Sequence, residues 1–205
     1  MRIAAVAMLI LLGACGDTGE TNGAGDASPA ATSTPAASAA SPAPANPRGE
    51  PAALALMAEG LSLLPVGVFQ PQVIGFGSPR AAVEKAAASA FPGVVPQRSR
   101  NGECGAGAME FTAYGTLTLN FQNGLLVGWF AKAPGNIATI DGIRPGITRA
   151  ELESERQLEL VPGSTLDGEF RYFLPNQTEI GGFLDGEGRG AEVTALHSGT
   201  NCFFR

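Results

Sequence analysis

IGFGSPRAAVE at residues 74–84 and IRPGITRAELE at residues 143–153 are two copies of one motif, 69 residues apart and aligned without gaps. The shared pattern is I-x-x-G-x-x-R-A-x-[VL]-E. In each copy a glycine turn leads into residues typical of the first turns of a helix. The repetition predicts an internal duplication, in which each copy contributes a helix followed by antiparallel strands.

The residues around each motif predict where the helices begin. In the second copy, Thr148 is followed three residues later by Glu151, which is the spacing of a capping box. In the first copy, Ser78 is the predicted N-cap and Pro79 the first helical residue. The two predicted caps differ by one position in the alignment.

Alternating polar and apolar residues predict strands after each helix. Residues 116–121 alternate in this way, and Asn123-Gly124 is a strong hairpin signal from which residues 125–131 return. In the second copy, Phe183 is matched to Phe121, and residues 193–197 are matched to 127–131. The strands predicted for the second copy are 170–174, 180–184 and 192–197.

These elements predict an α+β fold made of two tandem helix-plus-antiparallel-sheet units in one domain. The predicted domain spans residues 52–205, with repeat units at about 65–135 and 136–205. Over about residues 65–205 it resembles the β-lactamase-inhibitor-protein fold and the related fold of small outer-membrane assembly lipoproteins. The resemblance implies a sheet that grips a partner protein through aromatic and polar side chains, without catalysis.

Residues 12–15, Leu-Gly-Ala-Cys, close an apolar run that begins at Ile3 and follows the positively charged Arg2. They resemble the lipobox of bacterial lipoproteins. The resemblance implies that residues 1–14 are a signal peptide, and that Cys15 becomes the first residue and carries palmitate-like acyl chains. An ordinary signal peptide is the alternative. Gly16, where an Asp favours retention in the inner membrane, implies an anchor in the outer membrane, with the protein facing the periplasm.

The predicted tether, residues 15–51, joins this anchor to the domain. After Cys15 it is built from small and polar residues and contains no aromatic residue and no Val, Ile or Leu. Such a segment cannot bury enough apolar surface to offset its conformational entropy, so we expect it to be disordered. As a random coil it would span roughly 30–35 Å.

The amino-acid composition limits which classes of partner and cofactor we expect for this protein. The net charge is −6, with no cluster of basic residues, and nucleic acid is therefore not an expected partner. Besides Cys15 the chain contains Cys104 and Cys202, which predict a disulfide in an exported domain. Two cysteines and a single histidine do not form a zinc site, so we expect no metal and no cofactor.

Catalytic residues are not evident, and we predict that the protein is not an enzyme. His197 is the single histidine, and the neighbouring Ser198 would point to the opposite face of a strand. Residues 185–188, Asp-Gly-Glu-Gly, lack the spacing of a calcium loop and predict a hairpin loop. An envelope enzyme with an unrecognised active site remains an alternative.

The predicted binding surface consists of Trp129, Phe130 and Leu126. Trp129 and Phe130 are consecutive in one strand, so they lie on opposite faces, and Leu126 is expected to share the face of Phe130. Helices cover one face of a single sheet, which leaves the other for a partner. Burial of both aromatic residues, for example under residues 52–64, is the alternative.

The predicted function is a non-enzymatic binding or assembly module of the envelope; a structural spacer is a further alternative.

Overall fold

The computed structural model of the protein describes residues 51–203. The predicted signal peptide, the predicted lipidation site Cys15 and the predicted tether up to residue 50 lie outside the described residues, as do Phe204 and Arg205. Neither helix found in residues 51–203 combines the length and the apolar character that a membrane-spanning helix requires.

Two antiparallel sheets and two short helices make up the described residues. In chain order, the elements are β1 (Ala53–Met57), β2 (Gly60–Leu64), β3 (Gln72–Gly75), α1 (Arg80–Ala90), β4 (Gln97–Asn101), β5 (Met109–Tyr114), β6 (Leu117–Gln122), β7 (Leu125–Lys132), α2 (Arg149–Glu155), β8 (Leu158–Leu160), β9 (Glu169–Phe173), β10 (Glu179–Leu184) and β11 (Val193–Gly199). The small sheet has the order β1-β2-β3, and the large sheet the order β4-β5-β6-β7-β11-β10-β9-β8.

The predicted fold class, α+β with two helix-plus-sheet units, is wrong. The described part of the protein is mostly β, with 42% of residues 51–203 in strands and 12% in helices. Both helices are short, with 11 and seven residues. Pro92-Gly93 follows the first helix and prevents it from continuing. The second helix buries Leu152 alone, so little packing stabilises a longer helix there. All strands after α1 join one continuous sheet, and the residues before α1 form a second sheet that the motif did not predict.

The two glycines of the motif have the same role in the structure. Gly77 and Gly146 have φ angles of 88° and 93°, which glycine adopts without steric cost. The N–H of Gly77 donates to the carbonyl of Leu126 at 2.8 Å, and the N–H of Gly146 donates to that of Val193 at 2.7 Å. Each glycine therefore lies in a turn just before a helix, and its N–H attaches this turn to the beginning of β7 or β11.

The arginine and glutamate of the motif also have a common role. Arg80 and Glu84 form an ion pair of 2.9 Å one turn apart in α1, and Arg149 and Glu153 form one of 2.7 Å in α2. The spacing of four residues places both partners on the same side of a helix. The motif therefore encodes a turn and an internal ion pair twice.

The helix caps agree with the sequence in one copy and differ in the other. The capping box of Thr148 and Glu151 is confirmed, with both reciprocal hydrogen bonds present. The N-cap of α1 is Pro79, which has no side-chain bond, so the prediction of Ser78 is wrong by one residue. The helices therefore begin at equivalent positions of the motif, and the mismatch between the predicted caps disappears.

The hydrogen bonds of the motif glycines also correct the match between later strands. Leu126 and Val193 receive equivalent bonds, and the same spacing makes His197 equivalent to Phe130 rather than to Ala131. Phe130 and His197 are moreover direct partners across β7 and β11, the two central strands of the large sheet. The single histidine therefore lies at the midpoint of the large sheet, beside its counterpart.

A β-bulge in each half explains why a gapless comparison of the strands fails. Val127 is the extra residue in β7, since Phe121 pairs with Leu126 while Asn120 pairs with Gly128. In the second half, Leu184 pairs with Val193 and Phe183 with Ala195, which leaves Thr194 as the extra residue of β11. By this register Leu184, not Phe183, is the counterpart of Phe121. A bulge shifts every later side chain to the opposite face.

One face of the large sheet carries the core. The small sheet and both helices supply fully buried side chains to the same cluster as Trp129 of β7, among them Leu56, Leu61, Val83 and Leu152. Apolar residues on this face are removed from water by all three covering elements. We call it the covered face. Within residues 51–203 no second layer lies on the opposite face, which we call the open face.

Candidate binding surface

The open face presents a row of residues across the middle of the large sheet. Phe130 is next to the fully buried Trp129 in β7, and it therefore points away from the core. Cross-strand pairing extends the row on both sides of Phe130. Its members, from β5 to β9, are Ala113, Thr118, Phe130, His197, Gly181 and Arg171.

Four ring side chains meet on the open face and form what we call the ring cluster: Phe130, Phe183, His197 and Phe203. The imidazole of His197 lies 4.9 Å from the ring centroid of Phe203 and 5.4 Å from that of Phe183. Phe130 lies 5.8 Å from Phe203 in an edge-to-face arrangement. All four residues are partly exposed. Contacts of this geometry order aromatic rings while leaving their outer edges open to a ligand.

Two consecutive glycines of β10 make room for rings on both faces of the sheet. A Cβ at Gly181 would collide with the imidazole of His197 on the open face. A Cβ at Gly182 would collide with the ring of Phe170 and the carbonyl of Ala195 on the covered side. The Gly-Gly pair therefore permits the histidine to lie flat across its neighbouring strand, where it joins the ring cluster.

The C-terminal segment brings the fourth ring to the cluster. A disulfide joins Cys104, in the β4–β5 connection, to Cys202, with 5.1 Å between their Cα atoms, as predicted. The buried amide of Asn120 donates to the carbonyl of Thr200 at 3.0 Å and to Oδ1 of Asn201 at 2.8 Å. Residues 200–202 are therefore held on the open face at several points, and this places Phe203 over the central strands.

A groove of about 360 Å³ lies next to the ring cluster. Phe111, Phe130 and Phe203 supply its apolar lining, and Lys132 is the charged residue at its wall. The ammonium group of Lys132 lies 5.7 Å from the ring centroid of Phe130, within reach of a cation–π interaction. Among the ion pairs of the described residues none involves Lys132. The groove thus combines an aromatic wall with an exposed positive charge.

Two of the three residues predicted for the binding surface are buried instead. Trp129 has 0% exposure because the β1–β2 hairpin covers it, and its indole Nε1 donates to the carbonyl of Met57 at 2.7 Å. Leu126 also has 0% exposure, since the bulge at Val127 moves it to the covered face. Phe130 alone lies on the open face, where it is partly exposed.

Sequence reasoning missed three contributors to the surface. The repeat alignment pairs Phe183 with the buried Phe121, and Phe203 lies after the last predicted strand. Lys132 is two residues after Phe130 in the same strand and therefore on the same face. This two-residue spacing was the one available signal, whereas the positions of Phe183 and Phe203 depend on a bulge and on the disulfide.

The described residues contain no group of three or more histidine, cysteine or acidic side chains that could hold a metal ion. The hydroxyl of Ser198 and the sulfur of Cys104, the two side chains with nucleophilic atoms named above, are both engaged. Ser198 points into the covered side and donates to the carbonyl of Ala58 at 2.5 Å, on the opposite face from the ring of His197. Cys104 is in the disulfide.

The strongest electrostatic feature lies at the covering helix α1 and has a structural role. Glu84 accepts hydrogen bonds from Arg98, Thr112 and Arg80, at distances between 2.7 and 3.2 Å. The Arg98 guanidinium is the main cause that lowers the pKa of Glu84 to about 2, with further contributions from Thr112 and Arg80. Since every partner belongs to α1, β4 or β5, this network attaches the helix to the sheet.

Comparison with known protein families, curated proteins and solved structures finds no match to this chain.

Proposed function

We propose that the protein is a lipid-anchored, non-enzymatic binding module of the bacterial envelope, and that its ring cluster binds a partner protein. The observation that supports this function best is the arrangement of four partly exposed rings on the open face of the large sheet. The anchor itself is proposed from the sequence of the leader and Cys15.

The ring cluster has the properties of an interface centre. Aromatic side chains provide much of the binding energy in protein interfaces, because they bury a large area and lose little conformational freedom. Here the rings are already ordered by mutual contacts of 4.9–6.4 Å. A partner that covers them would therefore pay little further entropy for ordering the surface.

Lys132 specifies the chemistry of the partner. Its exposed ammonium group lies at the edge of the ring cluster, and the adjacent groove has room for one or two side chains. The partner segment that fits this surface presents an apolar side chain to the rings and a carboxylate to Lys132. Such charge complementarity favours the correct partner and increases the rate of encounter.

A non-enzymatic role agrees with the arrangement of the nucleophiles. His197 packs among three phenylalanine rings, while the hydroxyl of Ser198 is directed to the opposite side of the sheet. A serine and a base act together when they are within hydrogen-bond reach. The two consecutive residues are therefore suited to packing on separate faces rather than to acyl transfer.

Site-specific cross-linking in cells tests the proposal. The photo-reactive residue p-benzoylphenylalanine replaces Phe130 in the full-length protein, and in a matched control it replaces Leu160, which is 44% exposed in the edge strand β8. We expect one discrete adduct from position 130 and not from position 160. In the presence of Lys132→Glu the adduct should be lost, whereas Lys132→Arg should retain it.

Three results would overturn the proposal. The first is the absence of any adduct at position 130, which a structural spacer predicts. The second is an identical adduct pattern at position 160. The third is an adduct that persists unchanged in Lys132→Glu, because a partner carboxylate would then have no role. Turnover of peptidoglycan fragments by the purified protein, abolished in His197→Ala, would favour an enzyme instead.

A further inference from the structure

The connection between β2 and β3 is the most apolar exposed segment of the described residues. We call residues 64–73 the apolar loop; they comprise this connection, the last residue of β2 and the first two residues of β3. Phe69 at its tip is 99% exposed, and Val73 is 63% exposed. Ten large apolar side chains are exposed in residues 51–203, and half of them lie in this one loop: Leu64, Val66, Val68, Phe69 and Val73.

The apolar loop carries no charge and has a defined turn. From residue 60 to residue 79 the sequence contains no acidic or basic side chain and no histidine. Within the loop, the N–H of Val68 donates to the carbonyl of Pro65 at 3.2 Å, and Gly67 has a φ angle of 77°. Exposed apolar patches on soluble domains mark contacts with proteins or membranes. The absence of charge distinguishes this loop from the ring cluster, which has Lys132 beside it.

The position of the loop favours a lipid surface as its contact. Ala53, the first residue of β1, is the direct cross-strand partner of Leu64, the residue from which the loop departs. The N-terminal segment therefore enters the domain at the same end of the small sheet as the apolar loop. On a protein held through Cys15, the residues nearest the tether are those brought towards the bilayer.

We propose that the apolar loop inserts into the interface of the lipid bilayer and forms a second membrane contact beside the acyl chains. This inference rests on the proposed lipid anchor. The side chains of Val66, Val68 and Phe69 enter the boundary between headgroups and acyl chains. The backbone stays at headgroup level, since a loop with unpaired peptide groups is not tolerated in the hydrocarbon region.

The small sheet packs on the covered face, so a docked loop leaves the open face accessible. The membrane contact then limits the rotation of a domain that is held through Cys15, and it presents the ring cluster away from the lipid-contacting loop. Two other occupants compete with lipid for the apolar loop: a second copy of this chain and a protein partner.

Fluorescence quenching in vesicles tests the proposal with the full acylated protein. In the variant Phe69→Trp the new indole lies at the loop tip, while the native Trp129 remains a buried background. The matched control is Leu160→Trp. Both proteins are reconstituted in phosphatidylethanolamine–phosphatidylglycerol vesicles that contain lipids brominated along the acyl chain. We expect strong quenching and a blue shift for Phe69→Trp, and neither for Leu160→Trp.

A second variant keeps the test independent of where the probe is placed. Val66→Asp with Val68→Asp in the Phe69→Trp background should abolish the quenching, because carboxylates are costly to bury at the lipid boundary. Val66 and Val68 are 37% and 45% exposed and lie outside the core cluster, so we expect circular dichroism to show an unchanged fold. Equal quenching in Phe69→Trp and Leu160→Trp, or quenching that survives the two aspartates, overturns the proposal. So does a blue shift that depends on protein concentration and not on lipid.

Failure of the loop and failure of the anchor give different results. An acylated protein, verified by intact mass, whose Phe69→Trp indole is not quenched would overturn the loop contact and leave the anchor standing. If intact mass instead shows a protein without acyl chains, and its Phe69→Trp indole is still quenched when vesicles are added, the anchor is overturned and the loop contact stands. Cross-linking from position 130 reports on the ring cluster in either case.

Discussion

The two faces of the large sheet differ in what covers them, although consecutive residues of one strand contribute to both. Trp129 is fully buried under the β1–β2 hairpin, whereas Phe130 lies with three other rings on a face that no layer covers within residues 51–203. Both are large aromatic residues at consecutive positions of one strand. Their different roles therefore arise from elements distant in the chain and not from residue type.

The sharpest test of this difference replaces each aromatic residue with alanine. Trp129→Ala removes a buried side chain and its bond to Met57, and we expect a loss of about 3–5 kcal/mol in the free energy of unfolding. Phe130→Ala should cost about 1 kcal/mol, since it loses ring contacts at a partly exposed site. Urea denaturation measures both. Similar losses for the two variants would contradict the separation of the faces.

The disulfide offers a second test, because it holds the C-terminal segment on the open face. The bond spans 98 residues, and we expect its removal in Cys104→Ser with Cys202→Ser to cost about 2–4 kcal/mol. Phe203 should also leave the ring cluster, and NMR signals of the His197 imidazole would then shift. Unchanged imidazole signals would show that other contacts hold Phe203 in place.

Substitutions at the two consecutive glycines of β10 allow the packing of the two faces to be compared, because Gly181 faces the open side and Gly182 the covered side. Gly182→Ala places a methyl group against the ring of Phe170 on the covered side, and this overpacking should cost about 1–3 kcal/mol. Gly181→Ala meets the imidazole of His197, which can move towards solvent, and should cost less. Thermal unfolding of both variants provides the comparison. A larger loss for Gly181→Ala would mean that the ring cluster is as rigid as the core.

Replacing a charged residue should produce the smallest difference in unfolding free energy between the two faces, and this difference should depend on pH. Glu84→Gln weakens the network that attaches α1 and should cost about 1 kcal/mol at pH 7, while Lys132→Gln on the open face should cost less than about 0.5 kcal/mol. The pKa of Glu84 is lowered from 4.5 to about 2 in the folded protein. Its stabilisation is therefore complete above about pH 4.5 and is lost as the pH falls towards 2.

Measurement of unfolding free energies between pH 2 and pH 7 checks this sign. Wild type and Glu84→Gln should converge at low pH, whereas wild type and Lys132→Gln should differ little throughout. A difference between wild type and Glu84→Gln that does not change with pH would show that the ionised carboxylate is not what stabilises the attachment of α1.

Local features of the fold could be predicted because short-range hydrogen bonds and backbone geometry decide them. The capping box at Thr148 is confirmed, and so is the hairpin at Asn123-Gly124, where both residues have positive φ angles of 51° and 76°. The disulfide could be predicted from the number of cysteines. The fold class could not be predicted, because the motif indicates neither that the helices are short nor that the residues before α1 form a second sheet.

Of the three residues predicted for the binding surface, the structure places Phe130 alone on the open face. Strand alternation places Phe130 and Trp129 on opposite faces, but it does not say which face is covered. The predicted face of Leu126 is wrong because a bulge adds one residue to the pairing, and a bulge at Val127 has no clear signature in a single sequence. Lys132 was within reach of the same two-residue rule.

By itself the sequence determined the hairpin at Asn123-Gly124, the capping box at Thr148, the strand alternation and the cysteine pair, all of which depend on a few neighbouring residues or on residue counts. Only the tertiary structure decided that residues 53–64 cover Trp129, that two bulges set the register, and that Phe203 returns to the centre of the sheet. These outcomes depend on packing between segments far apart in the chain, where burial of apolar area, rather than local preference, selects the partner.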